Sequence, residues 1–333
     1  MVRRLMAVGV VSAMALGLAA CGSDDSSSSA SSPAASAAGG EPLHVVANFY
    51  PLAEAVQRVG GDLVDVDNLT PPGAEPHDIE ITSDDVDAIE DADLMIYLGS
   101  GFQPGVEKVA EDRSGPTLDI ATKVTLESGD HEAIEAEEST GEGDDHADEG
   151  HADEHSDVDP HFWLDPTLLR TAVDAIEAEL ATLSPAGAAT FAANAAAYDA
   201  ELTALDAELT AGLTGCARTQ IVTSHAAFYY LAHRYGLEQL PITGLSPESE
   251  PDPQRLDELA DLVERDGVTT IFSETLVSPE IAETLARETG AKTAVLNPLE
   301  GLTEEQIDAG ETYTSVQREN LAALQAALGC PAA

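Results

Sequence analysis

Basic residues are scarce in this chain. Fourteen Lys and Arg stand against 62 Asp and Glu, a formal net charge of −48. Such a chain repels phosphate backbones and anionic headgroups, which excludes nucleic-acid binding through a basic surface. Aromatic residues make up only 4%, so a core must be built mainly from Ala, Leu, Val and Ile. There are three cysteines, and neither Cys216 nor Cys330 has a His or second Cys beside it; thiolate metal sites and dithiol redox motifs are therefore excluded. Beyond the first twenty residues, no apolar run reaches the roughly 18 residues needed to cross a bilayer. What remains is a 333-residue chain with 43% apolar content, enough for a sizeable core and for two domains. Divalent cations are the natural small partners of so many carboxylates, although most of the charge is expected to be solvated surface.

The first twenty residues have the layout of an export signal. Arg3 and Arg4 precede an uncharged apolar stretch over residues 5–18, too short for a spanning helix. Leu18-Ala19-Ala20-Cys21 resembles a bacterial lipobox, in which the Cys is freed by cleavage and acylated. Residues 21–42, rich in Ser, Ala and Gly, suit a flexible tether. The expectation is an extracytoplasmic protein anchored by lipid at Cys21 to the outer face of the cell membrane. An exported chain whose remaining cysteines are Cys216 and Cys330 is expected to hold one disulfide. Closing so long a loop is worth on the order of 4–5 kcal/mol in the chain-entropy model.

The folded part alternates short apolar runs with segments of helical period. Strands are expected over residues 43–49, 64–69, 94–98 and 117–121, then 220–223, 239–243, 269–272 and 294–296. Helices are expected between them. Strand–helix alternation implies parallel sheets covered on both faces. Ser184 and Pro185 suggest a cap and first turn. The helix that follows, to about residue 213, carries Phe191, Tyr198, Leu202, Leu205 and Leu209 on one face. The predicted fold is α/β with two lobes, each a mostly parallel four-stranded sheet flanked by helices, joined by this long spine helix. The N-terminal lobe is placed at 43–183, the spine at 184–213 and the C-terminal lobe at 214–330. A spine of this length predicts little lobe closure.

Residues 130–158 differ in kind. In the stretch 130–159, 14 of 30 residues are acidic, none is Lys or Arg, and four are His: His131, His146, His151 and His155. Almost without apolar side chains, this insertion cannot fold alone; it is expected to offer weak accessory cation sites.

Three other histidines stand where α/β folds bind ligands, beyond the carboxyl ends of strands. They are His77, after the second strand; His161, where the chain re-enters the fold; and His225, after the fifth strand. No spacing motif joins them. Their settings are Pro72-Gly73-Ala74-Glu75-Pro76-His77-Asp78, Asp159-Pro160-His161-Phe162-Trp163-Leu164-Asp165-Pro166 and Thr223-Ser224-His225-Ala226-Ala227-Phe228. These resemble the signature loops of the solute-binding proteins of zinc and manganese ABC importers (the ZnuA/TroA type), over about residues 43–328. The resemblance implies a monomeric carrier that holds a metal between two lobes and delivers it to a membrane permease. His77, His161 and His225 match three ligand positions. Manganese-type members tend to place Glu where His225 stands, and nitrogen ligands favour Zn2+ over Mn2+. The fourth ligand is expected from Asn297, where many relatives carry Asp, with water or Glu274 as alternatives; Glu75 stands close in sequence to His77. The alternatives are a manganese-binding importer protein, with Mn2+ as its ion, and a metal-dependent adhesin of the same fold; a further rival is a surface zinc hydrolase. Against the hydrolase, His131-Glu132-Ala133-Ile134-Glu135 lacks the second His of a metalloprotease helix, and no Gly-x-Ser-x-Gly elbow occurs.

Overall fold

The computed structural model describes residues 41–128, 158–249 and 251–331. The leader, Cys21 and the insertion histidines His131, His146, His151 and His155 lie outside the described residues. The first half runs β1 (Leu43–Ala47), α1 (Tyr50–Gly60), β2 (Val64–Asn68), α2 (Ser83–Asp91), β3 (Leu94–Tyr97), α3 (Pro104–Asp112) and β4 (Thr117–Asp119). Two helices follow, α4 (Pro166–Leu183) and α5 (Ala188–Leu213). The second half runs β5 (Gln220–Thr223), α6 (Tyr229–Tyr235), β6 (Glu238–Pro241), α7 (Pro253–Asp266), β7 (Thr270–Ser273), α8 (Glu280–Thr289), β8 (Lys292–Val295), α9 (Glu304–Ala309) and α10 (Tyr313–Leu328).

Each half forms a four-stranded sheet, in the orders β2-β1-β3-β4 and β6-β5-β7-β8. Every pairing in both is parallel. Parallel neighbours need crossovers, which the intervening helices supply. The two sheets share one plan, and the chain leaves the carboxyl ends of β2, β5 and β8 into loops, the side on which open α/β sheets hold ligands.

Strand periodicity decides which core each residue joins. Val45, Ala47, Leu94 and Ile96 face the main core, whereas Val46, Met95 and Tyr97 face a smaller cluster with Ile89 and Val106. In the second sheet Ile221 and Phe272 join the main core, and Val222 and Ile271 pack with Leu259, Leu262 and Leu285. Side chains alternate across a strand, so sheets covered on both faces carry uninterrupted apolar runs. The main core is continuous from the first sheet through α4 and α5 to α10 and the second sheet.

The expected spine is α5, and Phe191, Tyr198, Leu202, Leu205 and Leu209 are all buried along it. It starts later than Ser184 and Pro185 suggest. Gly187 N–H closes a turn on the Ser184 carbonyl (2.9 Å), and the helix begins at Ala188. A Cβ at Gly187 would lie 2.7 Å from the Phe191 ring, so any other residue there would push that ring away from the helix start. Its 26 residues measure about 39 Å. Other boundaries shift by one to three residues. Thr82 caps α2: its hydroxyl oxygen accepts the Asp85 N–H, and its own N–H donates to the Asp85 carboxylate. Helix α9, capped by Thr303 with Gln306, was not expected. Cys216, just past α5, is bonded to Cys330, just past α10. Among the described residues no helix is long and apolar enough to cross a membrane.

The insertion leaves and re-enters at a pinned neck. Ser128 and Val158 form an antiparallel bridge. Next to it, Asp159 N–H donates to the Glu127 carbonyl (3.0 Å). The Tyr230 hydroxyl donates to the Asp159 carbonyl (2.9 Å) and accepts from Glu127 N–H (2.8 Å).

Candidate metal centre

His77 sits on the loop between β2 and α2. That loop has no secondary structure of its own, so buried polar side chains hold it. The Gln103 amide donates to the Pro76 carbonyl (2.8 Å) and to Thr70 Oγ1 (3.3 Å), while its oxygen accepts from Asn48 Nδ2 (2.7 Å). His77 N–H donates to Glu75 Oε2 (3.0 Å), and its ring stands edge-on to Phe102 with centroids 4.8 Å apart. The loop also docks on the second half: Gly73 N–H donates to the Leu302 carbonyl (2.9 Å). A Cβ at Gly301 would lie 3.4 Å from the Ala74 carbonyl oxygen and 3.2 Å from Leu276, so a residue without one suits this close approach.

His161 and His225 are buried and braced alike. Asp159 Oδ1 accepts both the His161 backbone N–H (2.9 Å) and its ring Nδ1–H (2.7 Å). Glu274, just past β7, accepts His225 N–H on Oε1 (3.1 Å) and Nδ1–H on Oε2 (2.7 Å). Such a carboxylate fixes the tautomer and leaves Nε2 free to bind a metal. Among the described residues no carboxylate braces His77 Nδ1 in this way.

The fourth group is Glu300, in the turn after β8. Its Oε1 lies 3.4 Å from His77 Nε2, 3.2 Å from His161 Nε2 and 3.2 Å from His225 Nε2, and the last two nitrogens are 3.4 Å apart. One donor atom from each of the four residues lies within 4.8 Å of every other. A tetrahedral zinc with bonds of about 2.0–2.2 Å has donor–donor edges of about 3.3–3.6 Å. Three imidazole nitrogens and one carboxylate oxygen are a donor set that suits it.

This corrects the expected fourth ligand. Asn297 lies outside the cluster: its side-chain oxygen accepts the Leu299 N–H (2.7 Å). Glu274, the alternative, is committed to His225 Nδ1. The group that joins the three histidines lies three residues further on, past a backbone reversal at Leu299, where φ is 58°. The signal that could have found Glu300 is its setting: a lone acid in Leu299-Glu300-Gly301-Leu302, between residues that are buried. Asp159 was likewise missed as a brace.

Without metal, the site is a charge cluster. Burial works against an ionised Glu300, but the His225, His161 and His77 rings hold it well below the usual carboxylate range. Burial opposes charge on His225 too, yet Glu274 and Glu300 raise it well above an ordinary imidazole, and Asp159 and Glu300 raise His161 in the same way. His77 goes the other way, lowered by burial despite Glu300. Glu75 is pushed up to about 8 by burial and by the charge of Glu300.

The family model described as zinc-uptake complex component A, periplasmic (ZnuA) matches residues 45–327. The high-affinity zinc uptake system protein ZnuA of Bacillus subtilis is 35% identical over 322 residues, 96% of each chain. The zinc-binding lipoprotein AdcA of Streptococcus pneumoniae is 38% identical over 285 residues, 85% of this chain and 55% of AdcA; the chain thus spans about half the length of AdcA. The crystal structure of the Zn(II)-bound ZnuA-like domain of S. pneumoniae AdcA superposes with TM-score 0.70 and 36% identity, covering 86% of this chain and 99% of that one. The laminin-binding protein Lmb of Streptococcus agalactiae, described as a bifunctional protein with adhesin and metal transporting activity, has TM-score 0.72 and 32% identity, covering 86% and 99%.

Proposed function

The chain belongs to the ZnuA family of zinc-uptake components, and on that premise we propose that it captures Zn2+ outside the cytoplasm and hands it to an ABC importer permease. The observation that carries this reading is the convergence of His77, His161 and His225 Nε2 on Glu300 Oε1. Three borderline-soft nitrogens and one oxygen favour Zn2+ over Mn2+, which takes oxygen-rich shells. The ion is cargo, so the site must both hold and release it. His161, His225 and Glu300 form the buried floor. His77 keeps 10% of its side-chain exposure and lies on the loop without regular structure, so release begins there, by local loop motion.

The remaining assignments extend this reading. The chain works as a monomer on the outer face of the membrane, with residues 1–20 as signal peptide, Cys21 as lipid anchor and 21–42 as tether. The lobes are 43–183 and 214–330, with the spine at 184–213. His131, His146, His151 and His155 in the insertion supply weak accessory metal sites. No catalytic role is assigned. A second reading, adhesion, is supported by the likeness to Lmb and is tested by laminin binding of the purified chain with and without zinc.

Calorimetric titration of the purified chain with Zn2+ and with Mn2+ tests the main reading. One tight zinc site, weaker for manganese and lost in His225→Ala, is expected. Weak zinc sites that disappear on deletion of residues 130–157 are expected beside it. No tight site, or one indifferent to His225, would overturn the proposal.

A further inference from the structure

Asn297 and Glu300 stand at the two ends of one short turn. Leu299, between them, has φ 58°, one of only two non-glycine residues with positive φ among the described residues. A branched apolar L-residue does not stay in the left-handed region unless its surroundings hold it there. Here they do. Asn297 Oδ1 accepts the Leu299 N–H (2.7 Å), which also fixes the orientation of the amide, because only its oxygen can accept. Asn320, buried on α10, grips the Asn297 backbone twice, accepting its N–H and donating to its carbonyl (both 2.8 Å). The Trp163 indole N–H donates to the Pro298 carbonyl (2.8 Å). Trp163 is fully buried, follows His161 by two residues, and packs on the His161 ring with centroids 5.2 Å apart.

Resting on the zinc-capture reading above, we propose that Asn297 is a positioning residue for Glu300. Its side-chain oxygen pins the left-handed turn that aims the carboxylate at the three imidazoles, and Trp163 latches that turn to the His161 turn. Two ligands from opposite halves of the chain are then held as one preassembled unit. The cost of ordering Glu300 is met on folding and not at each capture of an ion. An amide suits this position because it supplies the acceptor that the turn needs without a second buried negative charge beside Glu300.

The test is a double-mutant cycle. Zinc affinity is measured by chelator competition for wild type, Asn297→Ala, Glu300→Ala and the double variant. Asn297→Ala is expected to weaken zinc about 10–100-fold in the wild-type background, as for other groups that orient a ligand. In the Glu300→Ala background the same change is expected to cost less than about threefold, because its effect runs through Glu300. Trp163→Phe, which keeps a ring in the core and removes the indole N–H, is expected to show the same non-additivity with a smaller loss, and it carries the test if Asn297→Ala does not fold. Equal losses in both backgrounds, or no loss in the first, would overturn the assignment. Failure of the wild type to bind zinc tightly would instead overturn the zinc-capture reading, and this inference with it.

Discussion

His77 and His225 reach the same point from very different supports. His225 stands two residues beyond β5, fully buried, with its N–H and its Nδ1–H both held by Glu274. His77 stands well beyond β2 on a loop held by side chains, its ring braced by Phe102 rather than a carboxylate. A strand end fixes a ligand through the sheet; a loop fixes one only as well as its own hydrogen bonds do. On the proposed reading, the strand-end side is expected to set affinity and the loop side to set exchange.

Substitutions on the strand-end side should cost the most. His225→Ala and Glu300→Ala should each weaken zinc by more than the roughly 100-fold at the upper end for bracing residues, measured by chelator competition. His77→Ala should lose less affinity than His225→Ala, with most of the loss in the dissociation rate followed by stopped-flow chelation. Equal losses with unchanged dissociation would break the contrast. Glu274→Gln and Asp159→Asn remove a negative brace while keeping an acceptor, and should each weaken zinc about 10–100-fold.

Proton competition bears on the same contrast. Zinc needs neutral imidazole. His161 and His225 have pKa values raised by their carboxylate partners against the opposing effect of burial, so without metal they hold protons at a pH where a free imidazole, near 6.5, has lost them. Measured from pH 7.5 to 5, zinc affinity should therefore fall, with the fall beginning above the pH at which a free imidazole titrates. His77, lowered by burial, competes for protons least. A flat affinity across this range would contradict the assignment of imidazole ligands. Zinc binding should respond least to loss of the disulfide. Replacing Cys216 and Cys330 by Ser should lower unfolding stability by about 2–5 kcal/mol in denaturant titration and leave zinc affinity within twofold, since the bond ties α5 to α10 away from the ligands.

The fold was legible because its signals are local. A short apolar run bounded by Asp93 and Gly99, as at residues 94–97, fits a strand buried on both faces, and the face of α5 from Phe191 to Leu209 repeats at helical spacing. His77, His161 and His225 were legible through their loop sequences, not through any spacing motif. Glu300 was not, because its placement depends on a left-handed backbone at Leu299 that is set by Asn320 and Trp163, partners distant in sequence. For the same reason Asn297 passed for a ligand: a polar residue just past a strand end looks alike whether it binds the metal or shapes the turn. Asp159 was hidden at the edge of an acidic insertion, one carboxylate among many.

The most direct measurement is zinc-edge X-ray absorption of the purified chain loaded with one equivalent of Zn2+. Four light-atom ligands at about 2.0–2.1 Å, with multiple-scattering features of three imidazoles that fall to two in His77→Ala, are the predicted result. A six-coordinate, oxygen-dominated shell, or a spectrum unchanged by His77→Ala, would contradict it.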